Sequence, residues 1–144
     1  MMTTKVKDIL KSKGTDVYTV HSNNTVFEAL QVMNDKNIGG LLVVDGTKLI
    51  GIFTERDYAR KIVLKGKTSK DTPVSELMTH DPYFVTPDQT IEDCMAVMSE
   101  KHIRHLPVLD GDKIAGVISI SDVVRTIIDN QKFTIDQLAK YITG

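Results

Sequence analysis

A single cysteine, Cys94, serves the whole 144-residue chain, which excludes an intrachain disulfide and any thiolate metal cluster built within one chain. An excess of either charge is missing too. The 18 basic and 19 acidic residues are mixed along the sequence for a net −1, so no long-range field draws nucleic acid or an anionic membrane, and a charged ligand has to be held locally. No apolar run approaches the roughly 20 residues that span a bilayer. The start, Met1-Met2-Thr3-Thr4-Lys5, lacks the apolar stretch of a secretory signal, and a cytoplasmic protein is the expectation. There is no Walker-type glycine loop, no nucleophile beside a recognisable base and no metal-ligand set, so neither an enzyme nor a metal site is expected.

What the chain does have is repetition. Gly51-Ile52-Phe53-Thr54-Glu55-Arg56-Asp57 returns 65 residues later as Gly116-Val117-Ile118-Ser119-Ile120-Ser121-Asp122. In each copy an apolar run leads to a hydroxyl residue, and a carboxylate follows three positions on, where a helical pattern begins; this is a strand handing over to a capped helix. The offset of 65 holds from Val20/Val85 to Ile62/Ile127, with identical pairs such as Thr25/Thr90, Met33/Met98, Leu41/Leu106, Gly46/Gly111 and Arg60/Arg125. An internal duplication follows.

Residues Thr3 to Gly14 read as a short helix that Thr4 can cap, with Val6, Ile9 and Leu10 as its apolar stripe. Val17 to Val20 reads as a brief strand, and Thr25 to Asn37 as an amphipathic helix through Val26, Ala29, Leu30 and Met33. Leu41–Val44 and Leu49–Phe53 flank Asp45-Gly46, a strong hairpin signal. A helix from Thr54 should turn Tyr58, Ala59, Ile62 and Val63 inward, and Pro73 to Met78 should open the second unit as a helix. Beyond Asn130 the segment Phe133 to Ile142 has no counterpart; Ile135, Leu138, Ala139 and Ile142 suggest an added amphipathic helix that docks on the body or on a second subunit. The expected fold is α/β (α+β): repeats over 5–66 and 73–130, each too small for a private core, packed sheet against sheet about a pseudo-twofold axis, with a C-terminal helix over 131–144.

Laid out this way, the chain resembles the tandem cystathionine-β-synthase (CBS) domain pair, or Bateman module. The residues carrying the resemblance are Ile103-Arg104-His105-Leu106-Pro107-Val108, Asp110-Gly111 and Gly116 to Ser119 with Asp122, plus their first-half equivalents. It spans about residues 5 to 130 and implies a regulatory protein that binds an adenosine nucleotide, such as AMP, ADP, ATP, NAD or S-adenosylmethionine, in clefts between the repeats.

Candidate ligand contacts follow from chemistry and from this resemblance together. Asp57 and Asp122 can accept hydrogen bonds from ribose hydroxyls, and Thr54 and Ser119 with the helix-start N–H groups can donate to sugar or phosphate oxygens. The same spacings also read as simple capping boxes. Phosphate calls for cations: the resemblance points to Arg104 and His105, and Arg56 and Arg60 lie on the helix after Thr54. The first repeat has Gly39 and Gly40 where the second has Arg104 and His105, and Arg56 where the second has Ser121, so the clefts should be unequal. By family position an adenine ring would lie near Val20, His21 and Ile38 in one half, or Val85, Thr86, Pro87 and Ile103 in the other. His102 and His105 have no evident third metal ligand, and Cys94 reads as a small core residue. The expected protein is a stand-alone homodimeric module that senses an adenine nucleotide and signals in trans to a regulated protein. The competing expectation is a homodimeric scaffold with degenerate clefts.

Overall fold

The computed structural model describes residues 4–14 and 16–143. Its elements are α1 (Val6–Lys13), β1 (Thr19–His21), α2 (Val26–Lys36), β2 (Gly40–Asp45), β3 (Lys48–Thr54), α3 (Glu55–Asp57), β4 (Thr79–His80), α4 (Ile91–Lys101), β5 (His105–Asp110), β6 (Lys113–Ser119) and α5 (Ile120–Thr143). The mixed α and β architecture in two repeats agrees with the sequence reading. The helix start expected at Thr3 lies outside the described residues, and the N-cap of α1 is Lys5, whose N–H is held by the Asp8 carboxylate.

Each repeat is built on its hairpin. β2 and β3 pair antiparallel, as do β5 and β6, and the tight turns carry Gly46 at φ 65° and Gly111 at φ 62°, a conformation that glycine adopts without strain. Both hairpins bulge at the same place, leaving Ile50 and Ala115 without a partner. β1 joins β2 in parallel and β4 joins β3, giving a four-stranded sheet. In the second repeat, a single parallel bridge from Val85 to Val108 stands where β1 would be. Thr25 and Thr90 cap α2 and α4 through reciprocal bonds with Glu28 and Asp93, which fixes where both helices begin.

The helix after Thr54 departs from expectation. After α3 the chain winds as a π-helix over Tyr58–Val63, and the wider winding turns Ile62 inward while leaving Ala59 exposed and Val63 60% exposed. Pro73 is the N-cap of a short 3-10 turn, Val74–Glu76, not the first residue of an α-helix.

The leading segments trade places. Val6, Ile9 and Leu10 are buried in the second repeat's core with Val85, Ile91, Leu106 and Ile118, whereas Val74, Leu77 and Met78 are buried in the first, against Val26, Leu41 and Phe53. The backbone ties match: Val6 N–H donates to Gln89 O at 2.8 Å and Ile91 N–H to Thr4 O at 3.0 Å, while Val74 N–H donates to Asn24 O at 2.8 Å and Val26 N–H to Thr72 O at 2.9 Å. The helical segment in front of each repeat therefore packs in the core of the other one. Gly51 and Gly116 explain themselves here. A Cβ at Gly51 would run into Met78, and one at Gly116 would lie 2.5 Å from Leu10 Cδ2, so each bulge glycine makes room for the segment lying over it.

The repeats meet across their other sheet faces. Gly40, Leu42 and Val44 share the β2 face opposite Leu41 and Val43, and a Cβ at Gly40 would lie 3.3 Å from the His105 ring of the second repeat. Gly40 and His105 are equivalent positions, so the pseudo-twofold axis passes close to this contact. α5 is one 24-residue helix. Val123 and Ile127 pack on the second core, Asn130 Nδ2 bonds Thr4 Oγ1 at 3.1 Å, and past that point the helix leaves the body. The C-terminal segment is thus a continuation of α5, and it does not dock on its own body: Phe133, Ile135, Leu138 and Ile142 are 55–80% exposed.

Candidate functional site

The site grows out of the turn at the end of β3. Thr54 N–H donates to Asp57 Oδ2 at 3.0 Å, Thr54 Oγ1 donates to the same oxygen at 3.1 Å, and Asp57 N–H returns a bond to Thr54 Oγ1 at 3.2 Å. This is the capping box expected from the spacing. It consumes one carboxylate oxygen only: Oδ1 has Lys61 Nζ 3.6 Å away and keeps accepting capacity.

Next to this turn lies a cleft of about 410 Å³ between the repeats. The first repeat supplies Gly39, Ile52, Thr54, Glu55, Arg56, Asp57 and Arg60; the second supplies His102, Ile103, Arg104 and His105; the connection between them supplies Thr79, Pro82 and Tyr83. Arg56 ties the two walls, its Nη1 donating to the His102 carbonyl at 2.9 Å, where α4 ends with His102 in the left-handed conformation. The Arg60 and Arg104 side chains make no hydrogen bond or ion pair with the described residues, so their guanidinium groups are open to an anion. Burial holds the His105 imidazole below its usual range, against the opposing pull of Glu55, so the ring stands neutral in the cleft near pH 7. Gly39 and Gly40 leave the space that this ring fills.

The equivalent turn at the end of β6 is in another condition. Asp122 Oδ2 accepts from Ser119 N–H at 2.8 Å and Ser119 Oγ at 3.0 Å, and also from Lys13 Nζ at 2.6 Å, while Oδ1 accepts from Arg125 Nη2 at 3.0 Å. Both oxygens are taken and the side chain is 5% exposed. Burial raises the carboxyl, but the bonds and charge of Lys13 and the Ser119 donors outweigh it, so the net shift is downward.

The CBS domain family model matches this chain twice, over residues 6–64 and 74–129. The chain belongs to the CBS domain family. A mitochondrial CBS domain-containing protein of Arabidopsis thaliana, CBSX3, is 36% identical over 150 residues, covering 98% of this chain and 73% of that protein. Among solved structures, a CBS-domain protein from Burkholderia ambifaria MC40-6, proposed to act in signal transduction, is 50% identical with a TM-score of 0.85 over 89% of this chain and 96% of its own. A hexameric CBS-CP12 protein from bloom-forming cyanobacteria is 28% identical with a TM-score of 0.78, covering 86% of this chain and 68% of that one. The CBS domain family is one of regulatory and signal-transduction modules, and the matches point to no catalytic family.

Of the residues singled out from sequence, the CBS cleft gathers Thr54, Arg56, Asp57, Arg60, Ile103, Arg104 and His105. It does not gather Ser119 and Asp122, which lie at the closed turn, or Ser121, exposed on α5. Val20 is buried in the first core, His21 pairs with Asp45 at the sheet edge, and Ile38 lines a neighbouring hollow that shares Gly39 and Glu55. Thr86 and Pro87 hold the loop before α4, bonded to Gln89 and Lys7. Tyr83, Pro82, Thr79 and Glu55 escaped the sequence reading. Tyr83 had a signal: it stands 65 residues from Tyr18, and Lys101 and Lys36, also 65 apart, lie 5.1 Å over the two rings. Cys94 is fully buried in the second core, and burial pushes its thiol up to about 11, which suits a packing role.

Proposed function

We propose that this CBS pair is a cytosolic regulatory module that binds one adenine nucleotide, of the AMP, ADP, ATP or NAD type, in the cleft between its repeats. The observation carrying this reading is Asp57 Oδ1, which accepts no hydrogen bond from the described residues and has only the Lys61 ammonium 3.6 Å away, sharing a 410 Å³ cleft with the unpartnered Arg60 and Arg104 guanidinium groups. A ribose hydroxyl donates to Asp57, phosphate oxygens accept from Arg104 and Arg60, and Tyr83 with Ile103 offers flat and apolar surface to a base. A ligand bridging both walls binds unequally to states that differ in the angle between repeats, which is what coupling to a partner requires. Because α5 carries an exposed apolar stripe through Val124, Ile128, Ile135, Leu138 and Ile142, at the spacing of a two-helix seam, the module self-associates as a homodimer and signals in trans to a regulated protein.

Calorimetric titration with AMP, ATP, NAD and S-adenosylmethionine tests this. Binding of at least one is expected, with Asp57→Asn and Arg104→Ala each weakening it about 10- to 150-fold, the range for losing a charged hydrogen bond. No heat with any of the four refutes the nucleotide reading. One observation favours a second reading, an interaction scaffold: the Asp122 turn is already filled from within the chain. Self-association that persists without binding any nucleotide would select the scaffold.

A further inference from the structure

Lys13 Nζ donates to Asp122 Oδ2 at 2.6 Å and to the Val117 carbonyl at 2.9 Å. Moved back by the 65-residue offset, these acceptors become Asp57 and Ile52, two residues lining the open cleft. The ammonium thus stands against the second repeat where a ligand's hydroxyl donors would stand against the first. Its placement is fixed by backbone: Lys13 is the last residue of α1, Ile9 and Leu10 of that helix are held in the second core, and Gly14 at φ 94° ends the helix directly after it.

At Asp57 the nearest ammonium is Lys61, four residues on, which stands 3.6 Å from Oδ1 and donates to the Leu77 carbonyl at 2.9 Å; Oδ2, the oxygen that Lys13 meets in the second repeat, accepts from Thr54 alone among the described residues. The segment over the first repeat aligns with α1 at a spacing of 68, pairing Val6 with Val74 and Leu10 with Met78, and the same spacing sets Asp81 opposite Lys13. An anionic side chain there leaves the first turn without a plug.

We propose that Lys13 is a built-in occupant of the second cleft, a specificity-determining residue that limits the chain to one nucleotide. This rests on the nucleotide reading above. Removing the ammonium leaves Asp122 Oδ2 with its Ser119 bonds alone, as Asp57 Oδ2 has those of Thr54 alone, and opens a second site for the ribose of the same ligand class beside Oδ1, which Arg125 holds from the surface. That site binds more weakly, since Gly39 and Gly40 stand where the first has Arg104 and His105.

The test is AMP titration of the full chain and two variants, each first checked for cooperative unfolding. Lys13→Met keeps the apolar stem and drops the charge; Lys13→Arg keeps a cation. Expected stoichiometries are one AMP per chain for the wild type and Lys13→Arg, and two for Lys13→Met, with the second Kd about tenfold or more above the first. Adding Asp57→Asn to Lys13→Met should weaken the tight site and leave the weak one. One AMP per chain in Lys13→Met, or two in the wild type, overturns the role of Lys13 while leaving the nucleotide reading intact. If neither protein binds AMP, both fall; if only Lys13→Met binds, the plug stands and the open-cleft reading falls.

Discussion

Replacing Gly116 with alanine tests whether α1 belongs to the second repeat. The new methyl would lie 2.5 Å from Leu10 Cδ2 and 3.2 Å from Leu10 Cδ1, against about 3.5–4.0 Å for a comfortable carbon contact. Leu10 cannot simply withdraw. It is 6% exposed, and its helix is pinned by Val6 N–H on Gln89 O and Lys7 N–H on Pro87 O. Overpacking of this kind costs about 1–3 kcal/mol, and the reduced freedom of the unfolded chain returns about 0.4–1 kcal/mol. The net expectation lies between no change and a loss of about 2.6 kcal/mol. Leu10→Ala alone should cost about 2–5 kcal/mol by leaving a cavity. The double variant carries the decisive information: the methyl introduced by Gly116→Ala grows into the space Leu10 vacates, so the combined loss should fall short of the sum by about 1 kcal/mol or more. Urea unfolding followed by far-ultraviolet circular dichroism reads all three midpoints. Strict additivity of Gly116→Ala with Leu10→Ala would refute the packing of α1 over this strand.

Two other perturbations bear on the cleft and on assembly. Because burial depresses the His105 imidazole below its ordinary 6.5, the unfolded chain binds the extra proton first; the contribution to stability is complete above pH 6.5 and lost as pH falls below it toward the folded value. The thermal midpoint should therefore drop between pH 7.5 and 5.5, and His105→Asn should flatten that slope whatever it does to the midpoint itself; an unchanged slope would place the pH dependence elsewhere. Separately, Ile135→Asp with Leu138→Asp touches side chains 63% and 56% exposed, so the unfolding of each chain should move by no more than about 0.5 kcal/mol per site. Sedimentation should meanwhile shift from twice 16.0 kDa to 16.0 kDa, and an unchanged mass would remove α5 from the interface.

Local features were legible because their causes are local. Asp45-Gly46 and Asp110-Gly111 dictated the hairpins through φ, and Thr25, Thr54, Thr90 and Ser119 announced helix starts through hydroxyl-to-amide geometry. The strand-end carboxylates, too, were visible as a repeated pair. What periodicity cannot encode is which of two like surfaces a stripe will cover. Val6, Ile9 and Leu10 say that one face of α1 is buried, yet nothing within the helix chooses the second hairpin over the first. The Lys13–Asp122 bond joins residues 109 apart, beyond the reach of any local pattern. Gly39-Gly40 read as missing side chains, whereas in space they are room for His105. The π-helical winding after Asp57 likewise depends on how Ile62 settles into the core, and no spacing in the sequence announces it.

The traded leading segments bear on how such a chain could arise. A lone repeat preceded by its own short segment could lay that segment over its own bulge glycine or over that of a second molecule. Two molecules doing the latter reciprocally form a domain-swapped dimer, and a peptide link between them yields the connectivity seen here. The matched spaces at Gly51 and Gly116, filled by Met78 and Leu10, are what that fusion would preserve. Cutting the chain between residues 66 and 73 should then yield two fragments that each lack part of a core, and that recover it by binding each other.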